Sequence, residues 1–196
     1  MKSFFSTSNL VFWFFILAPV LLVFKNIFFG NLPTWGDAPY FYSEALKELA
    51  KEPSGWVERG VNFGGANLLL WISPLMFLYG ILGSLFNLGN DIVVKLIFYF
   101  PAILLSVITP IFLTRYLKFS KKVQFFSSLF YSINTYFILL IDGGQVGVVL
   151  AYGLFPLVLL FLKKLVDKPS LNSFLLGLLL LFIQGVADPR VALICL

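Results

Sequence analysis

Residues 142–164 read DGGQVGVVLAYGLFPLVLLFLKK, and this stretch decides the class of fold. Its apolar part, residues 146–162, carries no charge and approaches the roughly 20 residues of helix that cross a bilayer core of about 30 Å. Lys163 and Lys164 follow it, whereas the turn before it, residues 142–145, contains no basic residue. Because basic residues concentrate in cytoplasmic loops, the stretch predicts a membrane-spanning helix whose preceding turn faces outward.

The composition of the whole chain agrees with a membrane protein. Of 196 residues, 60% are hydrophobic and only 12% are charged. One cysteine and no histidine are present, which excludes Cys/His zinc sites and acid/base catalysis by histidine. The net charge of +5 comes from short basic clusters between apolar runs. We therefore expect membrane lipids as partners and no nucleic acid.

Four further apolar runs predict membrane-spanning helices, which gives about five in total; they are residues 10–29, 92–113, 123–141 and 171–187. The basic clusters at residues 115–122 and 163–168 place both of those loops in the cytoplasm. With Lys2 also inside, the N-terminus is cytoplasmic and residues 30–90 form one outer loop.

Within that loop, residues 68–88 are apolar but contain Pro74, Gly80 and Gly83. We expect them to form a broken pair of short re-entrant or interfacial helices that does not cross the membrane. Residues 40–51 alternate apolar and charged positions with helical spacing, which predicts an amphipathic helix along the outer surface.

A second topology also keeps both basic clusters inside. In it residues 68–88 cross the membrane, the N-terminus lies outside and residues 30–67 are cytoplasmic. This second topology places Lys2 outside the cell. Because the orientation of a membrane protein depends on Lys and Arg more than on acids, the first topology is preferred. The predicted fold is an all-α polytopic protein of the cytoplasmic membrane with one transmembrane domain, residues 1–196, which we expect to be the N-terminal part of a longer chain.

Three acids fall at the outer ends of predicted spans: Asp37, Asp142 and Asp188. Converging carboxylates at a membrane surface suit acid/base or metal chemistry on a lipid-linked substrate. Each acid also has a purely structural interpretation. Asp37 precedes a predicted helix that it can cap, Asp142 precedes two turn-forming glycines, and Asp188 is two residues from Arg190, with which it can form a local ion pair.

Several uncharged residues of the spans have structural interpretations as well. Asn134 and Gln184 are expected to form hydrogen bonds between helices. The glycines of residues 143–147 do not form a phosphate-binding loop, because no strand precedes them and no Lys-Ser/Thr pair follows. They are expected to allow close approach of the backbone to a neighbour or a ligand.

The order of these features resembles the N-terminal part of a membrane glycosyltransferase of the GT-C type. The stretches that carry the resemblance are TWGDAPYFYSEAL (residues 34–46), NFGGANLLLWISPLMFLYGILG (residues 62–83) and residues 142–164. They are similar in particular to YfhO-like and arabinofuranosyltransferase-like envelope proteins. The resemblance implies transfer of a sugar from a polyprenyl-phosphate donor to an envelope glycan, lipid or protein acceptor on the outer membrane face.

By position, the resemblance makes Asp37 the catalytic base that deprotonates the acceptor hydroxyl and Asp142 the second catalytic acid. Asp188 and Arg190 are candidate substrate-binding residues, and Arg59 and Arg190 are candidate ligands of the donor phosphate. The short loop at Asp142 departs from the family because it has no acidic pair, so the metal site stays open, with magnesium or manganese as the candidate cation.

Two other classes of function remain as alternatives. The first is an envelope-lipid transporter or flippase, against which the predicted spans after the first show no interior charge apart from Lys95 near an end. The second is a non-catalytic membrane scaffold.

Overall fold

The structure, a computed structural model, describes residues 7–30, 56–57, 65–66 and 70–195. These residues are helical apart from turns and one short antiparallel pairing of Trp56–Val57 with Gly65–Ala66. The helices are α1 (Thr7–Val23), α2 (Lys25–Phe29), α3 (Ser73–Leu85), α4 (Asn90–Val94), α5 (Phe100–Tyr116), α6 (Lys121–Ile133), α7 (Thr135–Asp142), α8 (Val146–Asp167), α9 (Leu171–Ala187) and α10 (Pro189–Ile194). A 3-10 turn, Leu70–Ile72, precedes α3, and a π-helical turn, Lys95–Tyr99, joins α4 to α5.

Three helical segments of the described chain are long and apolar enough to cross a membrane: Asp91–Tyr116, Lys121–Asp142 and Val146–Asp167. The predicted spans at residues 92–113 and 146–162 are therefore confirmed as apolar helices of sufficient length. The predicted span at residues 123–141 is an apolar helical segment of that length, interrupted at Asn134. The first and last predicted spans contain the shorter apolar helices Leu10–Val23 and Leu171–Ala187. The predicted all-α class is confirmed for the described residues, and the three long apolar segments are compatible with a membrane protein.

Neighbouring helices are held together by side chains that donate to carbonyls of the adjacent helix. Thr109 of α5 donates to the Gly153 carbonyl of α8 at 2.9 Å, and Ser128 of α6 donates to the Val107 carbonyl at 2.7 Å. Gln184 of α9 donates to the Ala151 carbonyl at 3.0 Å. Small polar side chains allow this close approach inside a membrane, and the predicted interhelical bond of Gln184 is confirmed.

Successive long helices run in alternating directions through the bundle, which therefore has two ends. The end that contains residues 116–121 and 167–171 carries the basic clusters and is called the basic end. The opposite end, called the turn end, contains residues 142–146 and 187–189. Because α5 and α8 both run from the turn end to the basic end, Tyr116 lies beside Asp167, with 2.9 Å between the hydroxyl and carboxylate oxygens.

The first helix runs alongside α6 in the same direction. The rings of Phe12 and Phe125 are 6.0 Å apart, and those of Phe24 and Phe137, each twelve positions further along, are 5.8 Å apart. Backbone hydrogen bonds continue across Phe24, which joins α1 to α2. Residue 7 therefore lies toward the basic end and Gly30 lies at the turn end.

Helix α3 begins at the turn end and leads back to it. Ile72 lies against Gly147 of α8, and only residues 86–89 separate α3 from α4. The expectation of a broken helix pair is wrong at the glycines, because α3 runs unbroken through Gly80 and Gly83, which are both buried. The interruption is the 3-10 turn before Pro74, a residue that suits the first turn of a helix because it needs no N–H partner there.

Candidate functional site at the turn end

Three separate contacts gather the helix ends that the sequence predicted to face outward. The Lys95 ammonium donates to the Gly30 carbonyl at 2.6 Å, which fixes the end of α2 against the π-helical turn. The Tyr99 hydroxyl lies 3.5 Å from the Ile141 carbonyl, the residue before Asp142. Gly147 packs against Ala187, the residue before Asp188. The elements that lead to all three predicted acids therefore meet at the turn end.

Asp142 is the last residue of α7, and its side chain is exposed. The Gln145 N–H donates to the Leu140 carbonyl at 3.0 Å, and the Gly144 N–H donates to the Ile141 carbonyl at 3.1 Å. This is the Schellman pattern of a helix C-terminus, and it needs a left-handed residue, supplied by Gly144 with φ of 67°. The turn predicted from the Asp-Gly-Gly sequence is present.

Asp188 is a buried carboxylate with several partners of its own. Its oxygens accept from the N–H groups of Arg190 and Val191 at 2.9 and 3.3 Å, which caps α10. They also accept from the Arg190 guanidinium, at 2.6 Å from Nη2 and 3.2 Å from Nε. The Arg190 side chain is itself 74% exposed. Asp188 therefore pairs with the Nε and Nη2 side of the Arg190 guanidinium, while most of the arginine side chain stays exposed. The predicted local ion pair is present.

The remaining predicted site residues, Asp37 and Arg59, lie outside the described residues, as does the predicted surface helix at residues 40–51. The catalytic and binding assignments stay predictions. In the part of the chain that the structure describes, there is no group of three or more acidic, cysteine or histidine side chains able to hold a metal ion.

The contacts of Gly147 explain why a glycine is needed at one of the positions in residues 143–147. A Cβ atom at this position would lie 2.3 Å from the Ala187 carbonyl oxygen, so only glycine allows α8 and α9 to cross at this distance. The predicted close approach of the backbone is confirmed, and the neighbour is the protein itself.

Two features of the bundle were not predicted. The first is the π-helical turn Lys95–Tyr99, which widens the helix where Lys95 and Tyr99 make their contacts; such turns often occur at functional sites. The only sequence signal was Lys95 itself, a lone charge at the edge of an apolar run.

The second is a complete break at Asn134, which divides the predicted span 123–141 into α6 and α7. Asn134 is extended, accepts from the Phe137 N–H at 2.9 Å, and donates to the Tyr131 carbonyl and the Tyr152 hydroxyl, each at 2.8 Å. Its predicted interhelical bond is confirmed. Tyr131 and Tyr152 stack at 4.3 Å beside it, and the Tyr152 hydroxyl donates to the Tyr131 carbonyl at the break at 3.2 Å.

No known protein family, no characterised protein and no solved structure matches this chain. The described residues define the class as far as an all-helical protein with three apolar segments of crossing length and a cluster of helix ends at one side.

Proposed function

We propose that this chain is the N-terminal membrane part of a GT-C type glycosyltransferase. In this proposal it transfers a sugar from a polyprenyl-phosphate donor to an envelope glycan, lipid or protein acceptor at the turn end. The observation that supports it most is that the helix ends leading to Gly30, Asp142 and Asp188 lie at the same end of the bundle, because GT-C chemistry needs a carboxylate and a phosphate-binding cation at one membrane surface.

The length of the chain supports a place for Asp37 at the same end. Asp37 is seven positions after Gly30 in the sequence, a distance of about 25 Å at most when the chain is fully extended. The helix from Lys95 to Tyr116 is longer, about 31 Å. Asp37 is then the base that takes the proton of the acceptor hydroxyl, and the phosphate is the leaving group.

In this scheme Asp188 acts through Arg190. Its carboxylate fixes the guanidinium from one side, so the exposed face of Arg190 is oriented to bind the donor phosphate without a further loss of side-chain freedom. Asp188 is then a positioning residue, and Arg59 is the second candidate for the phosphate.

The test is sugar transfer by the complete protein from radiolabelled polyprenyl-phosphate sugars in membrane vesicles. We expect Asp37→Asn to lower kcat by at least about 100-fold, the usual contribution of a general base. Asp91→Asn is the matched control, since Asp91 is an exposed carboxylate in the first turn of α4. Full activity of both Asp37→Asn and Asp142→Asn would reject the proposal.

We further propose that the basic end is cytoplasmic and the turn end extracytoplasmic. The parallel run of α1 and α6 supports this, since it puts residue 7 at the end that carries the basic loops, as the preferred topology requires. Phe86→Cys and Phe119→Cys, each in a Cys195→Ser background, replace exposed phenylalanines in loops at the two ends. An impermeant maleimide added to intact cells should label position 86 and leave position 119 unlabelled; the reverse result rejects the orientation.

A transporter is the second candidate, and the break at Asn134 is the observation in its favour. Transporters build substrate sites from discontinuous helices whose freed backbone groups face the substrate. At Asn134 those groups are bound by the side chains of Asn134 and Tyr152. Flux of polyprenyl-phosphate sugars across liposomes containing the protein, abolished by Tyr152→Phe, would favour this candidate over the enzyme.

A further inference from the structure

A groove opens between α5 and α8 at the basic end, far from the candidate site. Its volume is about 370 Å³, within the range of small-molecule pockets. Apolar side chains form its inner walls: Phe112, Leu157, Leu160 and Phe161. They precede the charged residues of the same groove on both helices, so the groove runs from the charged end of the bundle toward its apolar middle.

The mouth of the groove carries positive charge. Arg115 and Lys164 line it together with Tyr116. The Lys164 ammonium lies 4.6 Å from the centre of the Phe161 ring and 5.7 Å from that of Tyr116. Arg115 is exposed, and its guanidinium has no hydrogen-bond or ion-pair partner among the side chains that the structure describes.

The acid nearest the mouth is already neutralised. Asp167 accepts from the Tyr116 hydroxyl and pairs with Lys163, so its charge is balanced while the Tyr116 ring is held in place. The loops of the basic end add Lys118, Lys121, Lys122 and Lys168. With seven basic residues against one acid, this end carries a net charge of about +6 and attracts anionic lipid headgroups.

We propose that this groove binds one acyl chain of an anionic phospholipid, with the headgroup phosphate held between Arg115 and Lys164. The charge at the mouth selects an anion, and the apolar walls select a chain attached to it. A basic pocket between membrane helices at the basic side has the properties of a lipid headgroup site. The bound lipid fills the gap between α5 and α8 and fixes their ends relative to the leaflet.

The experiment is native mass spectrometry of the full chain, released from detergent, with phosphatidylglycerol or phosphatidylcholine of the same chain length added. We expect phosphatidylglycerol to be retained in preference. Arg115→Gln or Lys164→Gln should weaken its apparent affinity about fivefold, and the double variant about 30-fold. The control is the double variant Lys122→Gln/Lys168→Gln, which removes the same charge from positions outside the groove.

A second variant tests the acyl chain separately. Leu157→Trp narrows the groove without changing its charge and should also reduce retention of phosphatidylglycerol by about tenfold, because the lost burial of a few methylene groups costs that much binding. Circular dichroism establishes that each variant keeps its helices. Equal loss in the Lys122/Lys168 control, equal retention of both lipids, unchanged binding by Leu157→Trp, or competition by inorganic phosphate would each overturn the proposal.

Discussion

The crossing of α8 and α9 at Gly147 gives a sharp test of the packing at the turn end. In the variant Gly147→Ala, the new Cβ would lie 2.3 Å from the Ala187 carbonyl oxygen and 3.3 Å from Ile72 Cδ1. Ordinary contacts of a Cβ begin near 3.4 Å, so the two backbones must separate by about 1 Å. Overpacking of this kind costs about 1–3 kcal/mol.

Alanine also favours a helix over glycine by about 0.5–1 kcal/mol, which offsets part of this cost. We therefore expect Gly147→Ala to lower the free energy of unfolding by about 1–2 kcal/mol. Unfolding of the purified protein in detergent by added SDS, followed by circular dichroism, measures the change.

Gly177→Ala is the matched control on the same helix pair. Its Cβ would meet the Phe161 Cβ at 3.6 Å, an ordinary contact, so alanine should be neutral or stabilising there. If Gly147→Ala is as stable as Gly177→Ala, then α8 and α9 do not cross closely at this point, and the gathering of helix ends at the turn end loses one of its three contacts.

Three further predictions concern polar groups inside the bundle. Asn134→Ala should destabilise the protein by about 1–2 kcal/mol in the same SDS assay, because it removes the cap of α7 and the bond to Tyr152; an unchanged midpoint would contradict the described break. Gln184→Leu should cost about 0.6–1.7 kcal/mol through the lost bond to the Ala151 carbonyl, and a more stable variant would refute this contact. Burial raises the pKa of the Cys195 thiol, so maleimide should label it more slowly than a cysteine placed at the exposed position of Leu193. The labelling rate of Cys195 should still rise between pH 7 and pH 9. Equal rates for the two cysteines at pH 7 would show that the Cys195 thiol is exposed.

Much of the helical organisation follows from the sequence, because its signals are local. Apolar runs of crossing length between short polar turns leave the backbone no alternative to helix in a membrane. The Asp-Gly-Gly turn after residue 141 is equally local, since glycine is the residue that reaches a positive φ without strain. The polar residues Asn134 and Gln184 were identifiable because an amide inside a membrane needs a partner.

The break at Asn134 and the π-helical turn at Lys95 depend on more distant residues. An asparagine in an apolar run is compatible with a continuous helix that simply bonds to its neighbour. Here Tyr152, stacked on Tyr131, lies close enough for its hydroxyl to bind both the Asn134 amide and the Tyr131 carbonyl, and these bonds offset the cost of the break. Residues far apart in the chain have to meet before this alternative is stable.

Apolar length and charge position along the chain are enough to predict a helical membrane protein, most of its helices and the loops that carry the basic charge. Packing in three dimensions sets the parallel run of α1 and α6, the return of α3 to the turn-end side and the burial of Asp188. Packing between helices is set by the shapes of facing side chains and by single close contacts such as Gly147 on Ala187, which a linear pattern of hydropathy does not contain.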